Sequence, residues 1–459
     1  MFLKKVSLLL FLVALSTTQL LSQNKNDFAL NWKNVDSLEK RGLTKSALTQ
    51  VLEIYNLAKR ANNEAQQIKS VMYQIKYRNM VQEDSRENNI FFIDTLIEKS
   101  NAPVKNILQN MQAELFWQYL QRNRYKFYNR TKLATEKGKD ISTWSLDKIT
   151  ETIGSLYQQS LTGEKLLQNT KIENFDPILI KGENTRQLRP TLFDFLAFRA
   201  LDYFRNDERY LTKPAYEFTI NDPAAFAPAA EFAKASFLTK DTASLQYKAI
   251  LLLQTILQFH LKDKNTEALL DADFIRLHYV EQHAINQNKS ELYEAALKNI
   301  ESSYANQPAA AQAMYLRAQI YFGRGQSFSA TNSYQYEVKR AKELAELAVK
   351  KFPKTEGGIN AQNLINQILL PELNLQTEKV NVPQQAFRTL VTYKNAKTIY
   401  LRVIKTTKAA VAKLVNRDKD NLWDSILALK PLKAWNVALP DPQDFKNHST
   451  EIKIDESDC

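Results

Sequence analysis

Apolar residues recur at two different spacings along this chain of 459 residues, and the spacing changes near Pro371. Upstream they return about every 3.6 residues, as on the buried face of an α-helix. Downstream, in FRTLVTYKNAKTIYLRVI (387–404), they alternate with polar residues, which is the spacing of β-strands. The sequence therefore predicts a mainly α fold, in which a helical region is followed by a smaller β region.

The upstream region contains few residues that interrupt helices. Glycine occurs only 9 times in the whole chain, which is about a third of its average usage. Segments 27–40, 44–60 and 65–80 each carry an apolar stripe, and Gly42 separates the first two. Because helix pairs joined by short turns are the unit of an α-solenoid, we predict helical hairpins over residues 23–370.

The most regular hairpin is predicted between residues 312 and 353, and its small residues resemble those of a tetratricopeptide repeat. These residues are Ala318, Tyr321, Phe322 and Gly325 in the first helix, followed by Ala341, Ala345, Ala348 and Pro353 in the second. The stretch between the helices, 326–338, is longer than that repeat allows. An alanine-rich hairpin outside the repeat family therefore remains an alternative.

Residues 371–459 show the spacing of about four or five strands, interrupted by a helix-like stretch at 406–429. We interpret 387–404 as the first hairpin of a β-sandwich. A complete domain of the immunoglobulin-like sandwich type has about seven strands. The sequence therefore predicts an incomplete β domain with a helical insertion over 371–459.

The N-terminus has the pattern of a secretory signal peptide over residues 1–22. Lys4 and Lys5 precede an apolar run that ends at Leu15, and cleavage is predicted after either Ser16 or Ser22. No cysteine lies near these sites, so a lipid anchor of the lipoprotein type is not predicted. We expect export to the periplasm or cell envelope, and no transmembrane segment in the mature chain, because no later run reaches about 20 apolar residues.

The formal net charge of +12 is spread along the chain rather than concentrated in a block, which is typical of a solvated surface. Residues 107–130 interleave aromatic and basic side chains, a pattern also found where proteins stack nucleobases. However, Leu108, Met111, Leu115 and Tyr119 recur at the spacing of a helix core. We therefore interpret this helix as structural and predict no nucleic-acid partner.

Residues that carry catalysis or bind metals do not form a recognisable pattern. His278 and His283 are five residues apart, so they do not share the helix face that the HExxH zinc motif requires. Asp271 and Asp273 are interpreted as favourable charges at a helix start. The single cysteine, Cys459, excludes an internal disulfide. We predict that the chain is not an enzyme and has no catalytic, cofactor-binding or metal-binding residue and no cofactor.

Two local patterns are interpreted as structural. Thr191 and Asp194 have the spacing of a capping box at a helix start, and Gly357 with Gly358 is expected to form a turn at a helix exit. The helix that follows Thr191 is predicted to bury Leu192, Phe195, Leu196, Arg199 and Tyr203.

The order of these segments resembles the N-terminal region of bacterial alpha-2-macroglobulin proteins of Bacteroidetes. The resemblance depends on NWKNVDSLEKRGLTKSAL from Asn31, AELFWQYLQRNRYKFYNRT from Ala113, RPTLFDFLAFRALDYF from Arg189, and LVTYKNAKTIYLRVIK from Leu390 with ALPDPQDFKNHSTEIKI from Ala438. It implies a macroglobulin-like β-sandwich after the helices. It also implies protease trapping, in which a bait segment is cut and many members capture the protease through a thioester between Cys and Gln.

The resemblance stops short of the residues that trap a protease. The thioester needs Glu and Gln soon after its Cys, whereas the only Cys here is residue 459, and family members are several times longer. No bait or thioester residue is assigned. We expect the non-catalytic N-terminal part of an exported protease-trapping protein, truncated before those regions, with protein partners that include proteases. The alternatives are a free-standing helical-repeat scaffold that binds cell-envelope proteins, and a glycan-binding protein of the SusD type.

Overall fold

The computed structural model describes residues 28–81, 85–128, 138–206, 216–327, 333–378, 380–382, 385–417 and 422–455. The protein is mainly helical, at 64% helix, with a small antiparallel sheet region near the C-terminus, which confirms the predicted order of helices before strands. The predicted signal peptide (1–22) and Cys459 lie outside the described residues. The chain divides into two compact units, Met1–Lys289 and Ser290–Cys459.

The regular elements in the described part of the first unit are helices, and Lys171 and Thr191 form an isolated β-bridge. Short 3-10 helices occur at Ile141–Thr143, Ile172–Ile178 and Pro223–Phe226. The α-helices are α1 (28–40), α2 (Thr44–Arg60), α3 (Glu64–Val81), α4 (Ser85–Glu98), α5 (Val104–Arg122), α6 (Arg124–Tyr128), α7 (Leu146–Ser160), α8 (Glu164–Asn169), α9 (Thr185–Leu188), α10 (Leu192–Phe204), α11 (Ala229–Phe232), α12 (Leu245–His260) and α13 (Glu267–His283).

The first three helices match the predicted segments closely. Gly42 ends the turn between α1 and α2 with a φ of +73°, a left-handed conformation that glycine adopts without steric cost. Val35, Val51 and Tyr77 form one buried cluster across the three helices. The indole Nε1 of Trp32 donates a hydrogen bond to Gln66 at 2.7 Å. Packing of the apolar stripes therefore accounts for this part of the fold.

The aromatic and basic segment 107–130 forms parts of α5 and α6, as far as the described residues extend. Of the predicted core positions, Leu108 is buried and Met111, Leu115 and Tyr119 are half-buried, while Phe116 and Leu120 are buried beside them. The ring of Phe116 stacks on that of Trp144 with centroids 5.4 Å apart. These contacts confirm the interpretation that this helix contributes to the core. Tyr125 is the exception, since it is largely exposed.

The second unit begins with four helices, α14 (Lys289–Ser303), α15 (Pro308–Gln326), α16 (Glu337–Lys351) and α17 (Glu356–Leu369). The predicted hairpin is formed by α15 and α16, and α17 packs against both. Small residues hold α15 and α16 close together: a side chain at Gly325 would meet the backbone nitrogen of Val338 at 2.9 Å. The buried residues of this cluster are Ala311, Met314, Ala318, Tyr321, Val338, Ala341, Ala345, Ala348, Ala361, Leu364, Ile365 and Ile368.

The prediction that Gly357 and Gly358 form a helix-exit turn is wrong. Both residues lie in the first turn of α17, whose N-cap is Thr355, with the Thr355 hydroxyl accepting a hydrogen bond from the amide of Gly358 at 3.2 Å. Pro353 suggested an exit because it ends α16, and the next helix begins only three residues later. The glycines are needed there because the start of α17 passes close to other backbone.

Five described strands follow the helices, and they form two antiparallel sheets. One sheet has the order β1-β2-β5 and the other pairs β3 with β4. Two helices, α18 and α19, lie between β3 and β4 in the chain, which agrees with the predicted helical insertion at 406–429. The elements are β1 (Glu372–Gln376), β2 (Phe387–Lys394), β3 (Thr398–Val403), α18 (Lys408–Arg417), α19 (Leu422–Leu427), β4 (Lys433–Ala438) and β5 (His448–Ile454).

The interpretation of 387–404 as a hairpin is wrong, although its two strands are present. In a hairpin β2 would pair with β3, but β2 pairs with β1 and β5, and β3 pairs with β4. Residues 395–397 therefore carry the chain from one sheet to the other, with Asn395 at a φ of +53°. Alternation of apolar residues indicates strands, but it does not say which strands are neighbours.

Candidate protein-binding surface

The two sheets of the second unit face each other across a small apolar core. Val391 and Tyr393 of β2, Ile399 of β3 and Ile452 of β5 are buried in one cluster together with Leu439. The hydroxyl of Tyr393 donates a hydrogen bond to the carbonyl of Pro440 at 2.6 Å, and burial raises the pKa of this phenol. The arrangement is that of a two-layer β structure with three strands in one layer and two in the other.

The inner face of β1 extends beyond this core. Leu373 is directly opposite Tyr393, and Leu375 is directly opposite Val391. Residues opposite each other in antiparallel strands point to the same face of the sheet. Nevertheless Leu373 and Leu375 are 51% and 45% exposed, whereas Tyr393 and Val391 are 3% and 0% exposed. The apolar inner face therefore continues from β2 onto β1, where it is only about half covered.

The positions of β3 and β4 explain why β1 is only partly covered. The Nζ of Lys433, at the start of β4, lies 4.0 Å from a carboxylate oxygen of Asp455, directly after β5. This contact places the start of β4 beside the end of β5, and Ile399 of β3 packs in one cluster with Val391 of β2. Because β3 pairs with β4, we infer that β4 lies over β5 and that β3 lies over β2. With this placement, no described strand lies over β1. The edge of β3 that faces away from β4 also has no described partner strand. Unpaired strand edges are templates for the binding of further strands.

The chain around β3 is strongly basic. Residues 397–417 contain six basic residues, Lys397, Arg402, Lys405, Lys408, Lys413 and Arg417, and no acidic residue. The guanidinium group of Arg402 is already engaged, because it donates hydrogen bonds to the carbonyls of Leu427 and Leu429 at 2.8 and 2.7 Å. Lys405 and Lys408 are exposed. We define the candidate protein-binding surface as the inner face of β1, the free edge of β3 and these two lysines.

A separate buried cluster of charged side chains lies in the first unit, between α10 and α12. The ring of His260 has no exposed surface, and its Nε2 lies 2.8 Å from Asp194 while its Nδ1 lies 2.7 Å from Asp263. Asp194 also accepts a hydrogen bond from the backbone amide of Thr191 at 2.9 Å, which completes the predicted capping box of α10. Burial opposes a charge on His260, but hydrogen bonds and charges from Asp194 and Asp263 outweigh it and raise the imidazole pKa.

This His260 cluster links two helices and has no access to solvent through its histidine. The sequence pattern identified Thr191 and Asp194 as a cap, but it gave no sign of His260, which is 66 residues further along the chain. Pairing between distant polar residues depends on tertiary contacts, so a single sequence does not reveal it. We interpret the cluster as a structural ion network because both ring nitrogens are already engaged.

Asp273 and Arg276 form a second buried pair, on α13. Their side chains are 4% and 0% exposed, with Nη2 of Arg276 2.7 Å from Asp273. Arg276 also donates to the carbonyl of Ala225 at 2.5 Å, and burial raises the pKa of Asp273. The interpretation of Asp271 and Asp273 as charges at a helix start is therefore wrong, because α13 begins at Glu267 and Asp271 pairs with Arg189 at 2.6 Å.

A third polar network joins α14 and α15 in the second unit. The carboxylate of Glu294 accepts hydrogen bonds from Tyr321 at 2.5 Å and from Arg324 at 2.8 Å. Burial alone would raise the pKa of Glu294, but these bonds outweigh it and lower that pKa. Arg317 donates hydrogen bonds to the hydroxyl of Tyr321 and to the carboxylate of Glu301. Since each charge is paired, the network fits a role in holding the helices together.

His278 and His283, the two histidines five residues apart on α13, do not form part of a ligand cluster among the described residues. His278 is exposed and its Nε2 lies 2.9 Å from Gln282, while His283 packs its ring against Tyr279 at 4.5 Å. Within the part of the chain that the structure describes, no group of three or more His, Cys, Asp or Glu side chains is arranged to hold a metal ion.

Open clefts occur in both units. In the first unit a cleft of about 540 Å³ is lined by residues 216–222 and 236–240, including the largely exposed Leu238. In the second unit a cleft of about 780 Å³ lies beside Tyr336 and Arg340. The Arg340 guanidinium is occupied, since it lies 3.9 Å above the Tyr321 ring and pairs with Glu337 at 3.4 Å. Both clefts are open to solvent, whereas a small-molecule site buries most of its ligand.

No protein-family model, curated protein or solved structure matches this chain. None of the helices in the described residues combines the length and the apolar character that crossing a bilayer requires. The sequence indicates the β1 and β3 surface only through the alternation of apolar residues after Pro371.

Proposed function

We propose that this chain is a non-catalytic region of an exported protease-trapping protein similar to the alpha-2-macroglobulin family, and that its C-terminal sheets bind protein. The observation that carries the proposal is the partly covered inner face of β1, where Leu373 and Leu375 stay exposed beside a buried core. Two half-exposed leucines that continue a buried sheet core leave apolar surface that a bound protein would remove from water.

The order of segments also supports the proposal. The predicted signal peptide is followed by helices and then by two facing sheets, which is the order that the resemblance implies. No bait or thioester residue is assigned to this chain. Its proposed contribution is therefore binding, either to further domains or to a protease that they enclose, rather than covalent capture.

A free-standing helical-repeat scaffold is the second candidate function. It is favoured by the packing of α15, α16 and α17, which contact one another in chain order as the helices of a solenoid do. Leu347 and Ile359 are exposed on α16 and α17 and offer apolar contacts for a cell-envelope protein. On this alternative the sheets would have no partner.

The genomic DNA after the codon for Cys459 distinguishes the two candidates. For the protease-trapping proposal we expect this DNA to encode further strand-rich domains, in frame or after a frameshift. Co-expressed with this chain, the encoded region should form a one-to-one complex, measured by size-exclusion chromatography with light scattering. Intergenic DNA, or domains that do not bind the chain, would contradict the proposal and favour the scaffold.

Hydrogen exchange provides a test of the sheets themselves. We expect backbone amides of 372–455 to be less protected than those of α15 and α16, because β1 and β3 each have an edge without a described partner strand. Mass-spectrometric exchange on the isolated chain measures this difference by segment. Equal protection in the helices and the strands would show that the sheets are already complete.

A further inference from the structure

We propose that the candidate protein-binding surface accepts an acidic, extended protein segment, which adds as a third strand beside β3 and covers Leu373 and Leu375. This inference rests on the proposed function, in which the C-terminal sheets bind protein, and it names the chemistry of the partner. The partner is an alternating sequence with apolar residues on one face and Asp or Glu among the residues on the other.

The difference between the two layers has the width of one strand. Among the described strands, the layer that faces β1, β2 and β5 contains β3 and β4, so it is one strand narrower than the sheet opposite. Neighbouring strands lie about 4.8 Å apart, so one added strand beside β3 comes to lie over β1. Its backbone pairs with the free edge of β3, as in other cases of strand addition.

The alternation of the added strand follows from the same geometry. Ile399 and Leu401 of β3 belong to the core cluster, so their side of the strand is the inner one. Every second residue of an added strand points to that side and contacts Leu373 or Leu375. Those residues are therefore apolar, while the residues between them point outward.

The basic charge of the chain around β3 favours an acidic segment over other segments with the same alternation. The stretch 397–417 carries six basic residues and no acidic residue, and it includes β3 and the exposed Lys405 and Lys408 that follow it. A basic segment bound there would be repelled, whereas Asp or Glu in outward positions would be attracted. The attraction acts between exposed groups, so it weakens as salt screens it.

The test uses the full mature chain and short synthetic peptides labelled with a fluorophore. The first peptide alternates valine with glutamate and threonine, and its binding is measured by fluorescence anisotropy. We expect binding that weakens with added salt. Replacing Leu373→Thr together with Leu375→Thr should weaken it about tenfold, because apolar contact with the peptide is lost. Leu390→Thr is the matched control, since Leu390 lies on the outward face of β2 and should leave binding unchanged.

Charge and backbone pairing are tested separately. Lys405→Glu with Lys408→Glu should weaken binding of the acidic peptide, whereas Lys298→Glu with Lys339→Glu, at exposed sites on α14 and α16, should not. A peptide with lysine in place of glutamate should bind less tightly than the acidic one. A peptide with proline at alternate positions should not bind, because proline cannot donate to a strand ladder.

The outcomes separate this inference from the proposed function. Protection of β3 amides from hydrogen exchange when the acidic peptide is added supports strand addition. Equal binding of the lysine or proline peptide, or no binding of any peptide, overturns the inference. In the last case, a complex with the protein encoded downstream would still support the proposed function, because that complex can form through other contacts.

Discussion

His260→Leu is expected to lower the free energy of unfolding of the first unit by about 3 to 5 kcal/mol. The imidazole lies between Asp194 and Asp263 with no exposed surface, so its removal leaves the fully buried carboxylate of Asp194 without its cationic partner. Thr191 still donates two hydrogen bonds to that carboxylate, but both donors are neutral. Urea unfolding followed by tryptophan fluorescence measures the loss.

The matched control is His278→Leu, on the exposed face of α13, which should change stability by no more than about 0.5 kcal/mol. A double variant, Asp194→Asn with His260→Leu, removes both charges and should lose less stability than the two single changes added together. If His260→Leu unfolds at the same urea concentration as His278→Leu, the buried ion network does not stabilise the fold.

The same cluster predicts how stability depends on pH. The folded pKa of His260 is raised above its value of about 6.5 in an unfolded chain, so the folded state binds this proton more tightly. The stabilisation is therefore complete below about pH 6.5, and it is lost as pH rises through the folded pKa. Urea midpoints measured from about pH 6 upward should fall more steeply in the unchanged protein than in His260→Leu. If the urea midpoints of both proteins depend on pH in the same way, the raised pKa of His260 is contradicted.

Local sequence patterns predicted one half of the His260 cluster and missed the other. The capping box of Thr191 and Asp194 is a short-range motif, because its two hydrogen bonds join residues three positions apart. The partner of Asp194 depends instead on α10 and α12 packing together, which brings His260 to it from a distant position. Asp273 is a different case, because its partner Arg276 lies only three residues along the same helix, and the prediction failed because α13 begins earlier, at Glu267.

The β region shows the same limit at a larger scale. Alternation correctly placed strands at 387–394 and 398–403, and even the helical insertion that follows them. It did not say that these strands lie in different sheets, because a strand's periodicity is the same whichever neighbour it pairs with. The exposed inner face of Leu373 and Leu375 could not be predicted either, since in sequence they look like any buried alternating pair.

Gly357→Ala is expected to destabilise the second unit by about 3 kcal/mol. A Cβ at this position would lie 2.6 Å from the carbonyl carbon of Ala311 and 2.7 Å from the Cα of Gln312. Both atoms belong to the backbone of α15, so no side-chain rotation relieves the clash and α17 must move away. Urea unfolding and hydrogen exchange of α15 and α17 measure the effect.

Gly323→Ala is the matched control, because it makes the same change within α15 at a site with no neighbouring atom within 4 Å. Alanine favours a helix interior over glycine, so this variant should be more stable by about 0.5 to 1 kcal/mol. If Gly357→Ala lowers the free energy of unfolding and Gly323→Ala raises it, the loss comes from close packing of α15 and α17 rather than from helix propensity. Equal effects would contradict the close approach.

The consequence of Gly357→Ala should extend to the sheets, because α17 is attached to them. Asn395, in the connection between β2 and β3, donates hydrogen bonds to the carbonyls of Ile368 and Leu370 at the end of α17, at 2.7 and 3.3 Å. β1 begins at Glu372, only three residues after α17 ends. A displaced α17 therefore disturbs both β1 and the connection between β2 and β3. We expect Gly357→Ala to bind the acidic peptide more weakly than the unchanged protein. Gly323→Ala should bind it normally. Unchanged binding by a destabilised Gly357→Ala would show that the sheets hold their arrangement independently of α17.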